Sequence, residues 1–209
     1  MADARTDMLA RISSALAGRA APAPIPRDYQ RSRDFGGRDA LISLAAERIA
    51  DYRATVHQVP VASLADKISS VLAARAPGTM VAPPELPDDW RTASVNWLVD
   101  KPDQPIPLSE LDDVGGVLTG CAVVIAETGT IVLDARPNQG RRVLTLVPDY
   151  HLCVVLADQI VGTVPEAVAR LDPSRPTTFV SGPSATSDIE FKRVEGVHGP
   201  RTLDVIIVT

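Results

Sequence analysis

Leu152-Cys153-Val154-Val155-Leu156-Ala157-Asp158-Gln159-Ile160-Val161-Gly162-Thr163-Val164-Pro165-Glu166-Ala167-Val168-Ala169-Arg170-Leu171 places an apolar, partly β-branched run next to a helix start. Leu152 to Leu156 has the composition of a buried strand. Thr163, followed three residues later by Glu166, forms a capping-box pattern: hydroxyl and carboxylate can each take an exposed amide at the start of a helix running through Leu171. A strand followed by an amphipathic helix is the unit from which α/β folds are built.

Working outward, the same alternation recurs. Thr177 to Val180 and Leu203 to Val208 supply later strands, and Val143 to Val147 an earlier one. Val123 to Ile125 and Ile131 to Leu133 are β-branched runs around Glu127-Thr128-Gly129-Thr130, the pattern of two strands joined at a tight bend. Thr79 to Ala82 reads as a short buried strand stopped by Pro83-Pro84, and 100–107, with three prolines, reads as a loop. Ser63 opens a helix carrying Leu64, Ile68, Val71 and Leu72, with Asp66 beside its first amides, that ends near Gly78. Leu41, Leu44, Ala45, Ile49 and Tyr52 give Arg38 to Tyr52 a core-facing stripe. The prediction is a three-layer α/β/α domain with a mixed sheet, because the close strand pairs around Gly129 and Pro148 imply some antiparallel pairing. Met8, Leu9, Ile12, Ala15 and Leu16 predict an N-terminal amphipathic helix that needs another surface for its apolar stripe. Ala20 to Gly37, with Pro22, Pro24, Pro26 and Gly36-Gly37, reads as a linker. The domain organisation expected is therefore an arm and linker over 1–37 and an α/β domain over 38–209.

A length of 209 residues with 45% hydrophobic content suits one sizeable core plus an appendage. The net charge of −5, without a Lys/Arg-rich run, argues against nucleic acid as a partner. Asp3, Arg5 and Asp7 break up the first residues before an apolar leader can form, and no apolar stretch approaches a spanning length. A cytoplasmic protein without membrane insertion is expected. Cys121 and Cys153, the only cysteines, lie within apolar segments and read as core residues of a reducing compartment. They lack Cys-x-x-Cys spacing, and three scattered histidines do not make a metal site.

The densest polar cluster is Ser181-Gly182-Pro183-Ser184-Ala185-Thr186-Ser187-Asp188-Ile189-Glu190, directly after the strand ending at Val180. Ligands in α/β sheets gather at carboxyl strand ends, and Ser187 with Glu190 makes a second capping box whose amides can receive a phosphate or carboxylate. The same residues can equally serve turn and cap backbone groups. Gly196-Val197-His198-Gly199-Pro200 follows, a constrained loop that presents an imidazole suited to acid/base or anion-binding work. Glu127-Thr128-Gly129-Thr130 also follows a strand; its turn reading competes with a catalytic one. Glu127, Asp188 and His198 are the candidate acid/base set. Thr128, Gly129, Thr130, Ser181, Gly182, Pro183, Ser184, Thr186, Ser187, Gly196 and Gly199 are the candidate ligand contacts. His57 and His151 lie in or beside strand-like segments and read as structural; Trp90 and Trp97 read as core or interface anchors.

Ser181 to Glu190 followed by Gly196 to Pro200 resembles the signature of the lactate-utilisation protein C, or LUD-domain, family. The likeness is reinforced by Glu127 to Thr130, Pro148-Asp149-Tyr150-His151 and Pro26-Arg27-Asp28-Tyr29. It implies a fold similar to the sugar-phosphate isomerase and coenzyme-A transferase superfamily. It also implies participation in the oxidation of L-lactate to pyruvate beside partner proteins that carry iron–sulfur clusters, with no cofactor on this chain. Glu127-Thr128-Gly129 resembles the Glu-x-Gly nucleophile motif of those transferases, though its neighbours differ. Two function classes follow. One is an auxiliary subunit that binds the iron–sulfur partners, for which the arm and linker are candidate contacts; the other is an enzyme for a small carboxylate or phosphorylated ligand.

Overall fold

An extended backbone sends successive side chains to opposite faces, and in Tyr150–Leu156 both faces are apolar. Leu152 and Val154 enter one core cluster, Cys153 and Val155 another. A strand buried on both sides requires a layer above and a layer below. The computed structural model describes residues 3–18, 23–186, 194–195 and 199–209, with 185–186 and 194–195 described through their backbone.

The helices are α1 Ala4–Leu16, α2 Arg38–Asp51, α3 Leu64–Arg75, α4 Leu108–Asp112 and α5 Val164–Arg170. The strands are β1 Thr55–Val59, β2 Thr79–Ala82, β3 Asn96–Val99, β4 Gly116–Thr119, β5 Val123–Ile125, β6 Thr130–Leu133, β7 Tyr150–Leu156, β8 Ile160–Val161, β9 Thr178–Val180, β10 Ala185–Thr186, β11 Val194–Glu195 and β12 Thr202–Val208. Six strands form one sheet in the order β1-β12-β7-β4-β2-β3, and every pairing within it is parallel. A four-stranded sheet, β8-β5-β6-β9, contains the antiparallel pairs β5–β6 and β6–β9. β10 and β11 make a short antiparallel pair.

The α/β prediction is met, and the antiparallel pairing expected around Gly129 sits in its own sheet rather than in the main one. α3 covers one face of the main sheet through Leu64, Ile68, Val71 and Leu72. The other face receives Ile42, Ala45 and Ile49 of α2 together with Val124, Ile131 and Leu133 of the small sheet. α5 packs Ala167 on the small sheet's far side against Val123, Ile125 and Val132. Each fully buried Ile or Leu in these seams contributes about 1.5–3 kcal/mol.

Two local expectations change. Val143 to Val147 is not a strand: Arg142–Thr145 is a 3-10 turn, with Leu144 N–H donating to the Arg141 carbonyl and Leu146 N–H to the Val143 carbonyl. Strand β7 already pairs with β4 and β12, so the main sheet offers this run no edge there; its backbone pairs locally while Leu144 packs with Val81 and Val117. Ser63 ends a 3-10 turn and makes no side-chain cap bond to α3. The capping box of Thr163 and Glu166 forms as predicted, with Thr163 N–H donating to Glu166 Oε2 at 2.7 Å.

By its contacts the chain divides into Met1–Gln30 and Arg31–Thr209. In the first unit, Asp3 caps α1 by accepting the Arg5 amide at 3.2 Å. Residues from Arg31 onward lie against the α/β domain: the Arg31 carbonyl accepts from Thr163 Oγ1 at 3.2 Å, and Phe35 packs against Gly162.

Candidate functional site

The turn Glu127-Thr128-Gly129-Thr130 joins β5 to β6, and Gly129 supplies a left-handed residue (φ 61°) pressed on the backbone of α2 at Arg48. Because β9 is the next strand beyond β6, the turn meets the Ser181 cluster directly. Thr130 Oγ1 lies 2.9 Å from Ser181 Oγ and 2.7 Å from Thr128 Oγ1. Gly182, also left-handed (φ 80°), packs on Tyr52 just past the end of α2. The two polar patches singled out from the sequence are thus one structure, stitched by three hydroxyls.

Glu127 points elsewhere. Its carboxylate pairs with Arg33 at 3.5 Å, both side chains about half exposed. Of the acid/base set it alone is described; Ser187, Asp188, Gly196 and His198 lie outside the described residues, and Thr186 is placed only through its pairing with Val194.

From Ser181 the cluster lines a cavity of about 220 Å³ together with Gly182, Pro183, Ser184 and Gly199. The amide of Ser184 donates to the Pro200 carbonyl at 2.8 Å, holding the two loops together at its edge. Apolar walls come from Phe179, Val180 and Leu203, and further hydroxyls from Thr145 and Thr178. His151 also lines this cavity while only 2% exposed, its Nε2 2.7 Å from Thr119 Oγ1 on the neighbouring strand. Thr119 fixes the ring in one orientation, so the imidazole forms a pre-oriented polar part of the cavity wall.

His151 and Leu203 are the second residues of β7 and β12, so the cavity opens at the amino ends of these parallel strands. That differs from the expected carboxyl-end location, because β9 belongs to the small sheet and runs antiparallel to β6. The sequence reading of His151 is structural; the signal that points to the cavity is its place in Pro148-Asp149-Tyr150-His151, where a polar turn becomes an apolar strand.

Behind this wall Cys121 and Cys153 are both buried, free thiols. Hydrogen bonding with Cys153, then burial, pushes the Cys121 thiol well up, while the same bond, helped by His151 and Thr119 against the effect of burial, pulls the Cys153 thiol down. Among the described residues no group of three His, Cys, Asp or Glu side chains is arranged to hold a metal ion. Nor is any described helix long and apolar enough to cross a membrane.

Residues 108–208, which contain every residue lining the cavity, match the LUD domain family model. The chain is 45% identical to lactate utilization protein C of Deinococcus radiodurans, over 99% of this chain and 96% of that protein. The chain belongs to the lactate-utilisation protein C (LUD-domain) family. A second LUD-family relative, lactate utilization protein C of Geobacillus thermodenitrificans, is 28% identical over 82% of this chain and 79% of its own length. A crystal structure described as a DUF162 family protein from Deinococcus radiodurans superposes with a TM-score of 0.71 at 42% identity, covering 83% of this chain and 99% of that one. The family read from the Ser181 and Gly196 motifs is therefore the family of this chain.

Proposed function

We propose that this chain is a component of an L-lactate utilisation system and supports oxidation of L-lactate to pyruvate together with iron–sulfur partner proteins. The observation that carries the reading is the end-to-end likeness to a protein named for lactate utilisation. Conversion of L-lactate to pyruvate releases two electrons and two protons. With only two cysteines, this chain cannot furnish the four thiolates of a Cys-ligated cluster, so the electrons leave through clusters on the partners. Buried free thiols agree with the cytoplasmic location that belongs to this reading.

The His151 cavity supports a second reading, in which the chain itself binds a small carboxylate. At about 220 Å³ it has room for a three-carbon hydroxy acid, with Ser181 and Ser184 hydroxyls and the His151 imidazole as polar partners for a carboxylate and a hydroxyl. A phosphorylated ligand belongs to the same class, and Asp188 and His198 remain its proposed acid/base groups.

The test is L-lactate-dependent dye reduction by the reconstituted iron–sulfur partners with this chain present, absent, or carrying His151→Gln or His198→Ala. Loss of reduction without the chain is expected, and full activity without it removes the first reading. If the second reading holds, calorimetric titration of the isolated chain with L-lactate and pyruvate gives binding that His151→Gln weakens by roughly tenfold or more. Binding indifferent to His151→Gln would rule the cavity out as the ligand site.

A further inference from the structure

The opposite end of the main sheet carries a different cluster. β2 runs into Pro83-Pro84, β3 into Asp100, and the chain leaving β6 continues through Asp134 to Arg141. The chain leaves β2 toward β3 on one side of it and leaves β4 toward β7 on the other. Connections therefore diverge at the β2–β4 junction, and the crevice outside the carboxyl ends at such a point is where parallel sheets accept ligands. A cavity of about 500 Å³ lies there, sharing no lining residue with the His151 cavity.

Three arginines line it, each fastened from behind. Arg141 grips Asp100 with two bonds, Nε to Oδ2 at 2.8 Å and Nη2 to Oδ1 at 2.6 Å, and donates to the Ile106 carbonyl at 2.9 Å. Arg136 Nε donates to Asp134 Oδ2 at 2.8 Å. Arg175 donates to the carbonyls of Asp134 at 3.0 Å and Ala135 at 2.8 Å, with Nε 3.9 Å from Asp134 Oδ2. Ala135 takes a left-handed conformation (φ 54°), uncommon outside glycine, and its carbonyl is one of the two that Arg175 grips. The carboxylates are buried, Asp100 at 3% and Asp134 at 0% exposure, whereas the arginine side chains remain 36–43% exposed.

These fastenings use the Nε and Nη2 groups, leaving the Nη1 groups without a partner among the described residues. The three guanidinium groups face two buried carboxylates, Asp100 and Asp134, whereas Glu85 in the lining and Asp172, which interacts with Arg175 and Arg136, are exposed to water and screened by it. Guanidinium forks held in fixed planes are suited to planar or tetrahedral oxyanions. Pro84, Pro102 and Pro137 give the same cavity rigid apolar walls.

We infer that this crevice binds a small organic anion, its phosphate or carboxylate head held by Arg136, Arg141 and Arg175 and its apolar body lying on Pro84, Pro102 and Pro137. The inference goes beyond the lactate reading and does not depend on it. Phenyl phosphate and benzoate share the apolar ring and differ in the head, so titrating the full chain with each, by calorimetry and by arginine Nε–Hε resonances, tests it. Saturable binding of at least one is expected, with shifts at Arg136 and Arg175; the tighter of the two names the head. Arg136→Gln should weaken that binding roughly tenfold or more, and His151→Gln should leave it unchanged. If Arg136→Gln does not fold, Arg175→Lys, which keeps the charge and loses the fork, should show the same loss. Absence of saturable binding of both probes at millimolar concentration overturns the inference, as does binding that survives both arginine substitutions.

Discussion

Asp204 shows how one buried charge is made tolerable. Its carboxylate accepts from Arg75 Nε at 3.0 Å and Nη2 at 2.8 Å, and from the Tyr150 hydroxyl at 3.0 Å. Burial first, then the adjacent Asp204 charge, pushes the Tyr150 phenol up, so it stays a hydrogen-bond donor. Arg75→Ala strands a buried carboxylate and should lower stability by about 3 kcal/mol, the lower end of the range because Arg75 is partly exposed. Tyr150→Phe should cost about 1 kcal/mol. Urea denaturation measures both, and a Tyr150→Phe loss as large as the Arg75→Ala loss would mean the hydroxyl, not the ion pair, holds Asp204. The residue scale is also where the sequence was hardest to read. Glu127 and His151 each stand beside a strand in a polar motif, yet one faces Arg33 in solvent and the other a buried threonine. Only strand pairing separates them: β7 lies beside β4, which brings the Thr119 hydroxyl, 32 residues earlier in the chain, to the His151 ring.

Elements whose signals are local were legible. The helices at 38–51 and 164–170 follow from apolar spacing and a capping box, and β5, β6 and β12 from β-branched runs. β4, Gly116–Thr119, begins with a residue type poorly suited to strands, and it forms because its neighbours demand it: a side chain at Gly116 would strike Tyr150 and Met80 on the flanking strands. Val143 to Val147 fails for the converse reason, since an apolar pentad carries no information on whether an edge is free to receive it. The α5 start gives a prediction at this scale. Thr163→Ala removes the hydroxyl that caps the helix and donates to Arg31, and should destabilise the domain by about 1 kcal/mol in thermal or urea unfolding. An unchanged midpoint would mean that the Glu166 arm of the box suffices alone.

For the whole molecule, two groups contribute to the response to acid in separate windows. His57 has its pKa lowered by burial, with the Lys67 charge adding and Asp204 opposing, so folding favours the neutral ring. That contribution is complete above the unfolded value of 6.5 and is lost as the pH falls below it. Burial alone would raise the Asp100 carboxyl, but the bonds from Arg141 and the Ile106 amide outweigh it and hold it below the ordinary carboxyl value of 3.8. Its contribution is complete above that value and disappears as the pH drops through the lower folded one. Unfolding midpoints followed from about pH 8 to about pH 3 should therefore fall in two stages, His57→Gln flattening the upper stage and Asp100→Asn the lower. A variant curve parallel to the wild type throughout either stage would remove the group from that role. The strand order carries a consequence of its own. β12, the last of the six to be synthesised, lies between β1 and β7. A nascent chain must keep the facing edges of Thr55–Val59 and Tyr150–Leu156 apart, unpaired and exposed to strangers, until residue 208 has cleared the ribosome. Folding on the ribosome is then a matter of waiting with an open slot, and the interval before that slot fills is when the two bare strand edges are most open to wrong pairing.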